Sequence, residues 1–254
     1  MNMYLFGYKE LIKNLVISDL KAKYSSSVLG FAWSMLNPLL MMLVLYFVFS
    51  NIFKSQENFV VYLLTGILAW RFFAIGTTTA ISSIVGKSSL VTKIYIPREI
   101  LTLSTAISSL ISSTLEFLVL IPLLVILGAG ISATALMFPI IQLMYFLIVY
   151  GISLILASLY VYYRDLNQIW DVVLQVGFFL SPIIYPLSLV PAKYEFYYML
   201  NPITRLINMY RDIFLNGTIP KISDFGIVLL FGLLLFFIGT AVFKKLSRRF
   251  AEEV

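Results

Sequence analysis

Apolar residues gather in six long windows between charges, near 30–53, 59–84, 101–128, 134–162, 168–187 and 224–244. A hydrocarbon core of about 30 Å takes roughly 20 helical residues at 1.5 Å each, so every window is long enough to cross a bilayer. The connections at 54–58, 129–133 and 163–167 are short and set neighbouring spans antiparallel. The segment 188–223 breaks the pattern. It is too polar and proline-broken to cross and too aromatic for a solvated linker, so it is expected to lie at the interface or dip into it.

Ahead of the first window, Tyr8, Leu11, Ile12, Leu15, Val16 and Leu20 recur at three-and-four spacing, with lysines and Asn14 around them. This pattern predicts an amphipathic helix within residues 1–29, lying in the inner headgroup layer or packed on a partner protein. Lys9, Glu10, Lys13, Asp19 and Lys21 interrupt what would be the apolar core of a signal peptide. The expected fold is an all-α polytopic membrane protein, a single transmembrane domain over residues 1–254. It comprises an interface helix at 1–29, spans one to five over 30–187, the segment 188–223, and span six with a tail over 224–254. No internal repeat is visible and the two halves lack matching interruptions, which counts against an inverted-repeat carrier.

Composition narrows the chemistry. Of 254 residues, 61% are apolar and 12% charged, with neither His nor Cys, and the mean hydropathy is +0.97. The usual neutral-pH acid/base group, the thiolate nucleophile and the disulfide are therefore missing, and neither metal nor cofactor is expected. The net charge of +6 is distributed by topology. Lys9, Lys13, Lys21, Lys23, Lys87, Lys93, Arg98, Arg164, Lys244, Lys245, Arg248 and Arg249 fall on one side, and Lys54, Lys193, Arg205, Arg211 and Lys221 on the other. The positive-inside rule then puts both termini in the cytoplasm, and the basic balance requires no nucleic acid partner.

Arg71 and Glu116 lie deepest in the apolar windows. Each stands roughly 12 positions, about 18 Å, from the outer end of its span, so the two share a depth. An ion pair between adjacent spans is expected, with Arg71 lining a polar pathway as the alternative. A proton-coupled carrier would need more intramembrane carboxylates than Glu116 and Asp171.

Gly86-Lys87-Ser88 resembles the end of a phosphate-binding loop, but the earlier glycine would fall on Ile81 and the string follows a span, not a strand. It reads as a turn, so nucleotide chemistry must come from a separate subunit. The loop 86–99 is long enough for a short helix on which Leu90, Val91, Ile94 and Ile96 form an apolar ridge flanked by Lys87, Lys93 and Arg98. It is either a membrane-surface turn or a coupling helix that fits a groove on a cytoplasmic ATPase.

Several strings together resemble one family, the membrane-spanning permease subunit of ABC exporters for polysaccharides and polyol phosphates, of the O-antigen or teichoic-acid export type. They are Tyr24-Ser-Ser-Ser-Val-Leu29-Gly30-Phe-Ala-Trp33 with Asn37-Pro38-Leu39, Lys93-Ile-Tyr-Ile-Pro97-Arg98-Glu99, Tyr163-Arg164-Asp165-Leu166, Ser181-Pro182-Ile-Ile-Tyr185-Pro186, Val190-Pro191, Leu200-Asn201-Pro202 and Tyr210-Arg211. Ile96 departs from the pattern, where an aromatic is common. The resemblance implies a homodimer of six-span subunits in the inner membrane with two copies of a cytoplasmic ABC ATPase, exporting a lipid-linked glycan in lipopolysaccharide biosynthesis or a similar process. The chain itself is then no enzyme.

The resemblance also implies roles. Lys87, Leu90, Val91, Lys93, Ile94, Pro97, Arg98 and Glu99 would couple to the ATPase. Pro182, Pro186, Pro191, Asn201, Pro202, Tyr210 and Arg211 would build re-entrant gate helices on the outward side. Aromatic rings suit low-specificity contact with sugar faces. Tyr46, Phe49 and Phe53 share one face of the first span, Trp70 and Phe73 neighbour on the second, and Phe178 and Tyr185 are a heptad apart, so all seven are candidate channel residues, with interfacial anchoring or lipid contact as the alternative. Lys21, Lys23 and Arg164 are candidates for a lipid pyrophosphate. An exporter of small lipophilic compounds and an intramembrane enzyme acting on lipid-linked sugars are the alternative functions. The enzyme is disfavoured by the missing His and Cys and by the absence of a paired acid site.

Overall fold

The structure, a computed structural model, describes residues 7–24, 30, 32–49, 58–93, 96–126 and 132–253. Among these, every regular element is helical. In chain order they are α1 (Lys9–Tyr24), α2 (Ala32–Phe49), α3 (Phe59–Ile81), α4 (Ser88–Lys93), α5 (Glu99–Ile126), α6 (Phe138–Tyr160), α7 (Leu166–Leu180), α8 (Ala192–Leu200), α9 (Pro202–Arg211), α10 (Ile222–Leu246) and α11 (Phe250–Glu253).

Five stretches, containing α2, α3, α5, α6 and α10, are long and apolar enough to cross a membrane. The expected fifth span, 168–187, ends as helix at Leu180 and amounts to 15 residues, about 22 Å at 1.5 Å per residue. The hydropathy of 181–187 hides the cause. Pro182 has no N–H to continue the helix and forces the residue before it out of the helical region, and Ser181 is extended at φ −103°, ψ 143°.

Spans rich in leucine and phenylalanine on every side must be surrounded by protein or by lipid. α3 takes the first course. Nearly all of its length is buried, from Val61 through Ile67 and Ala69 to Ile81, and α2, α5, α6, α7 and α9 pack around it. α2 and α10 leave much of their apolar surface open in the single chain, with Phe47 81% and Leu230 63% exposed. α6 and α10 cross closely because small residues meet: Gly239 lies against the Gly151 backbone, and a Cβ on Gly151 would come within 2.7 Å of the Phe236 nitrogen.

α1 is the expected amphipathic helix, but its stripe serves its own chain. Val16 is buried as α1 packs on α5, and the Ser108 hydroxyl donates to the Val16 carbonyl at 3.3 Å. Lys87 and Asp19 then tie its carboxy-terminal half to the turn after α3 at 2.7 Å.

α4 corrects a second expectation. Val91 is buried, and Leu90 and Ile96 pack with it against a core of Ile84, Leu101, Leu154, Val161 and Phe243. The ridge therefore turns inward, because a six-residue helix cannot hold a position on the surface without burying its apolar side. Ser89, Thr92 and Lys93 remain exposed. Ile94 lies outside the described residues.

Candidate transport site

The helix break at Pro182 creates a local problem that the rest of the fold resolves. Carbonyls at the end of a helix have no intrahelical partner and must be satisfied where water is scarce. Arg211, 5% exposed, serves the carbonyls of the turn just past the helix end: its Nη1 donates to the Pro182 carbonyl at 2.7 Å and its Nη2 to the Ile183 carbonyl at 2.9 Å. A planar fork of donors suits two adjacent acceptors, as a lysine would not. The guanidinium lies over the Tyr62 ring, 3.4 Å from Cζ to centroid, and the Tyr62 hydroxyl donates to the Tyr185 carbonyl at 2.9 Å. Burial lowers the Arg211 pKa to about 10, so the group stays cationic at neutral pH.

Gly66 makes room for this contact, since a Cβ there would stand 2.9 Å from Arg211 Nη2 and 3.2 Å from the Ile183 oxygen. Neither Tyr62 nor Gly66 was picked out by sequence patterning. Their signal is their position one turn apart on α3, visible only once α9 is known to lie beside it.

The other expected gate residues have local roles. Asn201 caps α9, its side chain accepting from the Ile203 N–H at 3.0 Å, and Pro202 follows at the first helical turn, where a missing N–H costs nothing. Pro186 and Pro191 are both extended and flank a short 3₁₀ turn, Leu187–Leu189. Tyr210 is wholly buried, stacks on Phe117 at 4.8 Å and donates to Gln142, which in turn donates to Ser113 at 3.1 Å. Arg205 pairs with Asp224 and so fastens α9 to the start of α10.

α8 carries several exposed aromatic side chains. Tyr185, Tyr194, Tyr197 and Tyr198, with Lys193, line an open cavity of about 610 Å³. The Tyr185 hydroxyl donates to the Phe179 carbonyl at 2.9 Å and lies 3.1 Å from the Tyr198 hydroxyl. Burial and the Tyr198 hydrogen bond raise the Tyr185 pKa. Tyr194 and Tyr197 are 49% and 66% exposed. Tyr185 is the expected channel residue that lies here; the AKYEFYYML run of α8 was the unused sequence signal for the rest.

The remaining channel candidates divide. Trp70 and Phe73 are buried and pack α3 against α7, Trp70 at 6.0 Å from Phe178 and Phe73 at 6.0 Å from Trp170. Trp70 and Phe178 also edge a cleft of about 320 Å³ between α2, α3 and α7. Tyr46 is exposed on α2, and Phe49 is half-buried against the core. Phe53 lies outside the described residues.

Arg71 opens on the same cleft. Its Nη2 stands 3.5 Å from Glu116 Oε1, and its Nη1 donates to Asn37 at 3.2 Å. Glu116 is 3% exposed, so its charge depends on this partner. Lys21 and Lys23 are exposed on α1, and Lys23 edges a hydroxyl-rich cavity of about 310 Å³ with Asp19, Lys87 and Ser109. Arg164 sits elsewhere, in the α6–α7 turn, where it donates to the Glu253 carbonyl at 3.2 Å. The three cations called for a pyrophosphate are thus divided between α1 and the α6–α7 turn.

A bundle of apolar spans, a buried arginine holding a helix break and an exposed tyrosine-lined cavity together describe a polytopic transport permease. The ABC-2 type transporter family model matches residues 10–215, and the chain belongs to that family, a multi-pass inner-membrane protein. It is similar to the O-antigen export system permease protein RfbA of Klebsiella pneumoniae, 31% identical over 98% of this chain and 95% of the relative. The protein of the same name from Myxococcus xanthus is 29% identical over 98% and 97%. The polysialic acid transport protein KpsM of Escherichia coli is 22% identical over 93% of each chain.

Proposed function

We propose that the chain is the membrane subunit of an ATP-driven exporter that moves a lipid-linked polysaccharide, of the O-antigen or a similar type, through a channel between two copies of itself. Two copies of a separate cytoplasmic ATPase supply the energy. The observation that carries this reading is the tyrosine-lined cavity on α8, beside the break that Arg211 holds. Tyrosine offers a sugar both an apolar face and a hydroxyl edge, which suits repeated, weak contact with a passing glycan better than tight capture. A carrier of small lipophilic compounds has no need of exposed hydroxyl-bearing rings such as Tyr194 and Tyr197.

In this reading α7 is the short fifth of six spans, both termini are cytoplasmic, and α8 and α9 are re-entrant on the outer side. The unpartnered apolar faces of α2 and α7, with Val44 and Val172 more than half exposed, are where a second copy would close the channel. Lys93 and the exposed side of α4 meet the ATPase, and Lys21, Lys23 and Arg164 favour the anionic lipid headgroup.

The test is reconstitution of the chain with a candidate ATPase in proteoliposomes. Defined lipid-linked glycans should stimulate ATP hydrolysis, and the double substitution Tyr194→Ala, Tyr197→Ala should slow export while leaving basal hydrolysis and assembly intact. Hydrolysis indifferent to every glycan offered, with export unaltered by the substitutions, would sink the proposal.

A further inference from the structure

Phe250 sits at the start of the last described helix and is wholly buried, although Arg248 and Arg249 just before it are exposed. Its ring packs edge-on against Phe243 at 5.5 Å and lies 6.2 Å from Tyr162. The Arg98 guanidinium stands over it at 5.8 Å and also donates to the Ser247 carbonyl. The Tyr162 hydroxyl donates to the Leu246 carbonyl at 2.8 Å. α11 packs on α4, and Phe250 shares one apolar cluster with Val91.

These contacts join three segments that are remote in sequence: the 86–99 loop, the α6–α7 turn and the end of α10. We infer that the tail from Ser247 to Phe250 is a positioning element that makes the 86–99 segment rigid enough to transmit force. A six-residue helix followed by Pro97 cannot hold an orientation by itself, because isolated helices shorter than about 12 residues are marginal. A displacement imposed on Lys93 or Thr92 would be absorbed by the loop unless its far side were fixed. Phe250 and Arg98 fix it, so that movement of α4 is passed to α5, α6 and α10 together. The inference rests on the proposed reading of 86–99 as the segment that meets the ATPase.

The natural absence of cysteine makes a site-directed probe simple. Thr92→Cys, exposed on α4, carries a nitroxide spin label in the reconstituted complex, and Leu136→Cys, 82% exposed, serves as a distant control. Phe250→Ala is expected to raise label mobility at position 92 but not at 136, and to lower export per ATP hydrolysed about fivefold, the low end of ordinary site-to-site coupling. Phe250→Tyr keeps the ring that Arg98 and Phe243 contact and should restore more of both readouts than Phe250→Met, which keeps only apolar bulk. If Phe250→Ala does not assemble, Tyr162→Phe removes only the hydroxyl that holds Leu246 and should move both readouts in the same direction by less. Unchanged mobility at position 92 together with unchanged export per ATP overturns the inference. A separate arm, Lys93→Glu with co-purification of the ATPase, addresses the underlying reading: full retention of the ATPase would count against 86–99 as its contact, whatever Phe250 does.

Discussion

Arg211 rests on the face of Tyr62 while its two terminal nitrogens hold the carbonyls of Pro182 and Ile183. One side chain thereby compensates a helix break lying 29 residues earlier in the chain. Replacing it with Met leaves those acceptors buried without donors, at about 1–3 kcal/mol each. Arg211→Met should therefore lower the thermal unfolding temperature of the purified protein clearly. Arg211→Lys should recover only part, because an ammonium cannot present two parallel donors.

Gly66 should tolerate no side chain. Alanine there would press on Arg211 Nη2 at 2.9 Å and on the Ile183 backbone, and the backbone cannot yield without moving the break. Gly66→Ala is expected to reduce export with a smaller loss of stability than Arg211→Met, measured in the same proteoliposomes and by the same melting assay.

The Arg71–Glu116 pair is unequal, with side chains 16% and 3% exposed. Arg71→Ala strands a deeply buried carboxylate, whereas Glu116→Ala leaves an arginine that retains Asn37. Arg71→Ala should be the more destabilising of the two, by about 1–3 kcal/mol given partial exposure of the arginine. Glu116→Gln, placed on the Arg71→Ala background, should recover much of the loss. A double-substitution cycle by denaturant unfolding in detergent measures the coupling.

The α6–α10 crossing depends on two glycines. Gly239→Val forces the Gly151 backbone away and should disrupt packing along most of both helices. Its effect should be loss of folded protein on size-exclusion chromatography, not a selective loss of transport, which distinguishes it from the Gly66 variant.

The spans were legible because hydropathy summed over 20 positions reports burial in lipid or protein alike. The meeting of Arg71 and Glu116 was legible for a different reason: two charges at one depth have few other ways to avoid an unpaired state. The end of α7 was not, since a window average over 168–187 cannot register what one proline at 182 does to hydrogen bonding. Trp70 and Phe73 show a further limit. Helical spacing puts residues on a shared face but does not say whether that face meets a cavity or a neighbouring helix. The same ambiguity misplaced the ridge of Leu90 and Val91, whose apolar side found its own core. Arg211 could be singled out, yet its acceptors could not, because backbone carbonyls leave no trace in side-chain identity.

The long reach from Pro182 to Arg211 also orders biogenesis. As the nascent chain is inserted, the carbonyls at 182 and 183 must wait until the ribosome has added residue 211 and α9 has folded back onto α3. A chain stalled within that interval carries two unpaired acceptors at a place its finished form keeps buried.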